Sequence, residues 1–124
     1  MKLRFARHTN DLEKIKSFYV NVLGFQLLGE FNNHDDYDGI FIGKPNLDWH
    51  LEFTKSNEIV NFEFGEEDYL GFYLNNIIEY NLIIEKLNSN KINFINSKNP
   101  YWNDNGTIIK DPDGFNIIIS KFSK

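Results

Sequence analysis

In the stretch WHLEFT, His50 and Glu52 stand two residues apart. On a strand they project from one face, while Trp49, Leu51 and Phe53 fill the other. An imidazole beside a carboxylate could be half of a metal site, an acid/base pair, or two polar groups facing water. Arg4 and His8 share a face of the opening strand by the same alternation, so a His8/His50/Glu52 cluster is conceivable. Tyr69 and Tyr73 share a face with Gly71 between them, and could stack on a planar ligand or simply pack. Tyr101 and Trp102 follow Pro100 in NPYWND, as exposed loop aromatics, a pocket lid, or a surface for a dimer partner. His34, in the polar run NNHDDYDG, reads as solvated.

The elements that must position these groups are legible in the apolar spacing. Leu3 to Thr9 reads as a strand. Asn10 to Val22 reads as a helix, with Asn10 as cap and Glu13 three residues on, an apolar stripe of Leu12, Ile15, Phe18, Tyr19 and Val22, and a stop at Gly24. Strand-like runs follow at 25–31, 37–43 and 49–54, separated by turn-rich pieces. Residues 56–68 read as a linker, acidic at FGEED, with room for a short strand. The pattern then returns: a strand over 69–75, a helix opened by Asn76 and Glu79 with Ile77, Tyr80, Ile83, Ile84 and Leu87 as its stripe, and strands over 91–96, 106–111 and 115–120.

An offset of 65 residues lays the second stripe on the first, and places Leu70 on Phe5 and Gly71 on Ala6. The chain is therefore expected to be α+β, two tandem βαβββ modules forming a curved mixed sheet: module one over 1–55, module two over 69–124. Side by side, two such modules would leave a concave trough lined by alternate strand residues, a natural small-molecule site.

Composition narrows the classes. The chain has 124 residues, 16% aromatic, with net charge -5 and only Arg4 and Arg7 as arginines, which disfavours nucleic acid as a partner. Without cysteine, disulfides, thiolate metal sites and a Cys nucleophile are excluded. No apolar run approaches a membrane span, and MKLRFARH lacks the apolar stretch of a signal peptide, so a cytoplasmic protein is expected.

NDLEKIKSFYVNVLGFQLL (10–28), WHLEFT and DPDGFNIII (111–119) occur in an order that resembles the vicinal oxygen chelate superfamily: glyoxalases, extradiol dioxygenases, and bleomycin- and fosfomycin-resistance proteins. ARHTNDLEK and NPYWNDNGTIIKDPDGF look like a bacterial subgroup of largely uncharacterised members. One scaffold hosts many chemistries in this superfamily, so the resemblance speaks to fold more than to function. The turn Asp111-Pro112-Asp113-Gly114 is accounted for by turn chemistry alone.

The resemblance implies four metal-ligand positions, which fall on Arg4, Glu52, Tyr69 and Ile118. Arginine has no acceptor, isoleucine no donor atom, and a neutral tyrosine is a poor ligand, so the expectation is no bound metal and a salt bridge from Arg4 to Glu52. Breaking such a pair, if buried, would cost about 3–5 kcal/mol. The expected function is binding of a small molecule in the trough by Arg4, His8, His50, Glu52, Tyr69, Tyr73 and Trp102, in a homodimer as the resemblance implies. The alternatives are a glyoxalase-type lyase or isomerase using Glu52 and His50, with a divalent metal, and an interaction domain with an empty trough.

Overall fold

Strand β1 (Leu3–His8) lies parallel to β4 (Trp49–Lys55), which pairs antiparallel with β3 (Tyr37–Gly43), itself antiparallel to β2 (Gln26–His34). A computed structural model describes residues 1–121. The order β1-β4-β3-β2 is a four-stranded mixed sheet. Its register separates the two faces. Phe5 pairs with Leu51, Arg7 and Ile40 with Phe53, and Ile42 with Leu51 on one side. Arg4 with His50, Ala6 and Phe41 with Glu52, and His8 with Thr54 occupy the other.

The first face is buried by the chain between β1 and β2. Ile15, Phe18, Tyr19 and Val22 are buried, and the Tyr19 ring lies 4.9 Å from Phe53. This helical segment differs from the uniform helix expected. Only α1 (Leu12–Lys16) is α-helical, and Ser17–Val22 is π-helical, the Leu23 N–H donating to the Phe18 carbonyl five residues back. The wider turn lets Phe18 and Leu23 both reach the core, and Gly24 at φ +83° then ends the run. The cap is Asp11 rather than Asn10: the Asp11 side chain accepts from the Lys14 N–H. Asn10 is engaged elsewhere, its amide donating to the Val60 carbonyl and accepting the Val60 N–H at 2.8 and 2.9 Å.

The chain divides into two compact units, Met1–Asn61 and a second that begins at Phe62. No strand forms over 56–68. Phe64 stacks on Phe62 and meets the edge of Phe115 within the second unit.

The second unit repeats the first in shortened form. Strand β5 (Tyr69–Tyr73) is parallel to β7 (Asn116–Ser120), and β7 is antiparallel to β6 (Gly106–Lys110), giving the order β5-β7-β6. Helix α2 (Ile77–Ser89) is capped by Asn76, which accepts from the Glu79 N–H at 2.9 Å. Of its expected stripe, Tyr80 and Leu87 are buried, Ile83 and Ile84 half-buried, and Ile77 exposed. Tyr80 anchors the helix to the sheet through its hydroxyl, 2.6 Å from Thr107 Oγ1.

The strand expected over 91–96 does not form; a single bridge, Ile95 to Ile108, replaces it. Just beyond that segment Asn103 takes both backbone groups of Ser97, accepting its N–H and donating to its carbonyl. The NPYWND run is likewise no loop but a short helix, α3 (Pro100–Asn105), with Asn99 accepting the Tyr101 N–H. The turn after β6 is held by Asp111, whose carboxylate accepts from the Asp113 and Phe115 N–H groups, with Gly114 at φ +91°. The last three positions of the expected second module lie outside the described residues. Among the described residues, no helix is long and apolar enough to cross a membrane.

Candidate functional site

On the face of the first sheet opposite the helix, four side chains from three strands meet. Arg4 of β1 extends over β4 and donates through Nε to His50 Nε2 at 3.2 Å, while its Nη1 lies 3.7 Å from Glu52 Oε1. The guanidinium also sits 5.4 Å from the ring centroid of Phe41 on β3, and that ring meets His50 at 5.8 Å and 68°. In that bond His50 Nε2 is the acceptor, and the guanidinium has no acceptor of its own to offer. Phe31 continues the aromatic surface 5.9 Å from Phe41, and its ring lies so close over Gly39 that a Cβ there would collide with it.

The Arg4–Glu52 pair is present, with the carboxylate largely covered and the guanidinium half in water. The Glu52 side chain is 13% exposed and that of Arg4 55%. A half-solvated pair at this distance contributes on the order of 0–1 kcal/mol rather than the larger penalty of a buried one.

His8 does not join this group. Its Nδ1 is 3.1 Å from Thr54 Oγ1, its Nε2 3.4 Å from Ser56 Oγ, and its ring meets Tyr37 edge-on at 6.1 Å. Both nitrogens are thus engaged by hydroxyls where β1 ends. Among the described residues no three His, Asp or Glu side chains gather as a metal site requires, so His8, His50 and Glu52 do not form a substitute one. His34 is exposed, 3.8 Å from Asp35.

In the second unit, Tyr69, Gly71 and Tyr73 share a face with Asn116, Ile118 and Ser120 by register. The Tyr69 hydroxyl is bonded to Ser97 Oγ at 2.7 Å. A Cβ added at Gly71 would meet nothing within 4 Å, so open space separates the two tyrosines. Tyr73 lies 6.3 Å from Trp102, which in turn meets Tyr101 edge-on at 4.9 Å. Ile118 is buried hydrocarbon.

These positions do not fit a divalent metal. Arg4 brings a fixed positive charge onto Glu52 and fills the lone pair of His50 that a cation would need. Tyr69 is spent on a serine, and Ile118 has nothing to donate.

Several polar groups in these surroundings escape notice in the sequence. Phe41 is recoverable by alternation, since it pairs with Glu52 across the sheet. Glu66, Lys98, Lys110 and Asn116, which surround a cavity of about 270 Å³ in the second unit, carry no sequence signal that links them.

Residues 3–54 match the family model described as the YycE-like N-terminal domain, and residues 67–121 match the YycE-like C-terminal domain. The chain is 37% identical over 124 residues to the uncharacterized protein YycE of Bacillus subtilis (strain 168), covering 94% of this chain and 85% of the relative. A crystal structure of a YycE protein of unknown function from Bacillus subtilis superposes with a TM-score of 0.87 at 35% identity, covering 99% of this chain and 90% of that one. More distant structures share the fold alone. The trypanothione-dependent glyoxalase I of Leishmania major has a TM-score of 0.75 at 17% identity, with 98% of this chain and 86% of that one covered. TnmS3, an antibiotic binding protein from Streptomyces sp. CB03234, has a TM-score of 0.71 at 21% identity, with coverages of 99% and 96%. With both halves matched in order and a relative at this identity through nearly the whole length, the chain belongs to the YycE-like family of the vicinal oxygen chelate superfamily.

Proposed function

We propose that the chain is a metal-free member of its superfamily that binds a small molecule on the open faces of its sheets. One observation carries this reading: on the first face, Arg4 satisfies both Glu52 and His50 while stacking near Phe41. Such a surface offers a planar or amphipathic ligand aromatic area together with a few fixed polar groups. His8 borders that face; within the second unit, Tyr69, Tyr73 and Trp102 offer an aromatic surface of their own. The antibiotic-binding relative of the same fold is consistent with a binding role. A homodimer belongs to the same proposal, and light scattering on the purified chain tests it.

The decisive experiment is a ligand thermal-shift screen on protein purified without chelator, paired with metal analysis. A binder is stabilised by mass action, and its hits should weaken in Arg4→Met and His50→Ala. One tightly bound divalent ion per chain would overturn the metal-free reading; absence of any hit would leave the interaction-domain reading.

A second reading has one observation in its favour, the carboxylate of Glu52 kept with little exposure on the strand that carries His50. A glyoxalase-type lyase or isomerase would use Glu52 to abstract a proton next to a carbonyl. It requires turnover of a hemithioacetal that disappears in Glu52→Gln. No turnover with nickel, zinc, manganese or iron would end it.

A further inference from the structure

The cavity of about 270 Å³ in the second unit is lined by Glu66, Tyr69, Ile95, Asn96, Lys98, Lys110 and Asn116. Asn116 is its organiser. Buried itself, it accepts from Lys110 Nζ at 2.9 Å and donates to the carbonyls of Gly65 and Glu66 at 3.3 and 3.4 Å. One side chain therefore places the Lys110 ammonium and the backbone that carries Glu66. Lys110 Nζ is further held at 3.5 Å by the Gly114 carbonyl. Across the cavity Lys98 pairs with the Glu66 carboxylate at 2.6 Å. The bonded hydroxyls of Tyr69 and Ser97 stand beside them.

Lys98 is thus paired with Glu66, while Lys110 stands on Asn116 at the same cavity. Lys98 holds the Glu66 carboxyl below its ordinary value of 4.5, mainly through their hydrogen bond, and the charge of Lys110 adds to this. Glu66 therefore sits within the field of both lysines. Its side chain is also 70% exposed, so it can turn into water without burying a charge.

We propose that this cavity binds a small-molecule oxyanion dianion, a phosphate or phosphate monoester, and that Glu66 is the internal counter-ion the ligand displaces. With Glu66 in place, Lys98, Lys110 and Glu66 sum to a single positive charge, and Glu67 adds a negative charge acting on Lys98; turning Glu66 out leaves both ammonium groups facing the cavity. A dianion matches that state. Ammonium groups act as point charges toward phosphate, and a dianion matches two of them better than a monoanionic carboxylate does. The inference names a ligand class for part of the small-molecule reading and rests on it.

The test is titration of the full chain with inorganic phosphate against chloride at matched ionic strength, followed by amide chemical shifts, with acetate as a second probe. Saturable shifts are expected around residues 65–69, 95–98 and 110–116, with phosphate preferred over acetate. Lys98→Met and Lys110→Met should each weaken phosphate by about tenfold, the size of one charge-assisted hydrogen bond. Glu66→Gln distinguishes displacement from a merely basic surface: it should tighten phosphate severalfold, and its amide spectrum reports that the fold is intact. Equal affinity in the lysine variants, weaker or unchanged affinity in Glu66→Gln, or identical responses to phosphate and chloride would each overturn the proposal. A screening ligand that lost affinity in Arg4→Met, with no lysine-dependent response to phosphate, would sink this inference and leave the broader binding reading standing. No response to phosphate and no screening hit would sink both.

Discussion

The first unit's sheet has four strands of six to nine residues, whereas the second has three of five and a single bridge where a fourth would run. Both derive from the same β-α-β-β-β order, and both keep the parallel pairing of their first and last strands. They part where polar side chains compete for the backbone. In the second unit Asn103 captures Ser97, Tyr69 grips the Ser97 hydroxyl, and α3 starts at Pro100, so the chain leaves the sheet early. The open faces diverge accordingly. The first concentrates one arginine on an imidazole, a carboxylate and an aromatic ring. The second carries hydroxyls, an amide and paired lysines around a cavity. A repeated scaffold preserves the core-facing half of each strand and leaves the other half to specialise.

The largest effects should come from what the two units share. Phe53→Ala in the first core should cost about 3–5 kcal/mol, and Leu87→Ala in the second about 2–5, in urea unfolding. Both side chains are essentially inaccessible. A loss under about 1 kcal/mol for either would mean that its core is not packed as described.

The next contrast concerns the missing strand. By hydrogen exchange, Asn93, Phe94 and Asn96 should lose protection at least about 100-fold faster than Ile40 and Ile42 of β3, because only Ile95 of that segment is bridged to the sheet. Comparable protection would show a complete fourth strand in solution and erase the asymmetry.

Arg4→Met should change stability by no more than about 1 kcal/mol, given its exposure, and a double-mutant cycle with Glu52→Gln should yield a coupling of similar size. A coupling several times greater would make the first face a buried ion-pair site after all.

The smallest effect belongs to Glu66 and Lys98, both well exposed. Their hydrogen bond and mutual charge lower the acid and raise the base. A lowered acid stabilises above its ordinary 4.5, and that contribution disappears as pH falls through its reduced folded value; the raised base loses its contribution as pH climbs past 10.5. The small difference in melting temperature between wild type and Lys98→Met should therefore be present at neutral pH and fade well below pH 4.5. A difference that persisted in acid would point to packing instead of charge.

Much of this arrangement was legible residue by residue. Alternation placed His50, Glu52 and Arg4 on one face, and the register puts Arg4 beside His50 and Ala6 beside Glu52. The 65-residue repeat located both sheets. What the pattern missed has local causes. Asn10 and Asp11 are both competent caps; Asp11 serves because Asn10 is drawn to Val60, fifty residues away. KINFIN has strand composition, but only its Ile95 is bridged to the sheet, and the chain just beyond it is held by Asn103 on Ser97. The exposure of Arg4 is not legible in the sequence: its long side chain keeps its head in water while reaching the largely covered carboxylate of Glu52.

The sequence alone determined the tandem module, the alternation of faces along the strands that form, and that arginine and isoleucine stand at 4 and 118, where the resemblance implies ligands. All of these depend on period, order and side-chain type, which are local properties. Tertiary structure alone decided that Arg4 serves His50 as well as Glu52, that His8 is taken by Thr54 and Ser56, and that Asn116 gathers Lys110 and the Glu66 backbone around a cavity. Those outcomes depend on which of several competent partners lies within about 3 Å, and hydrogen-bond geometry is set by the folded chain rather than by the identity of any one residue.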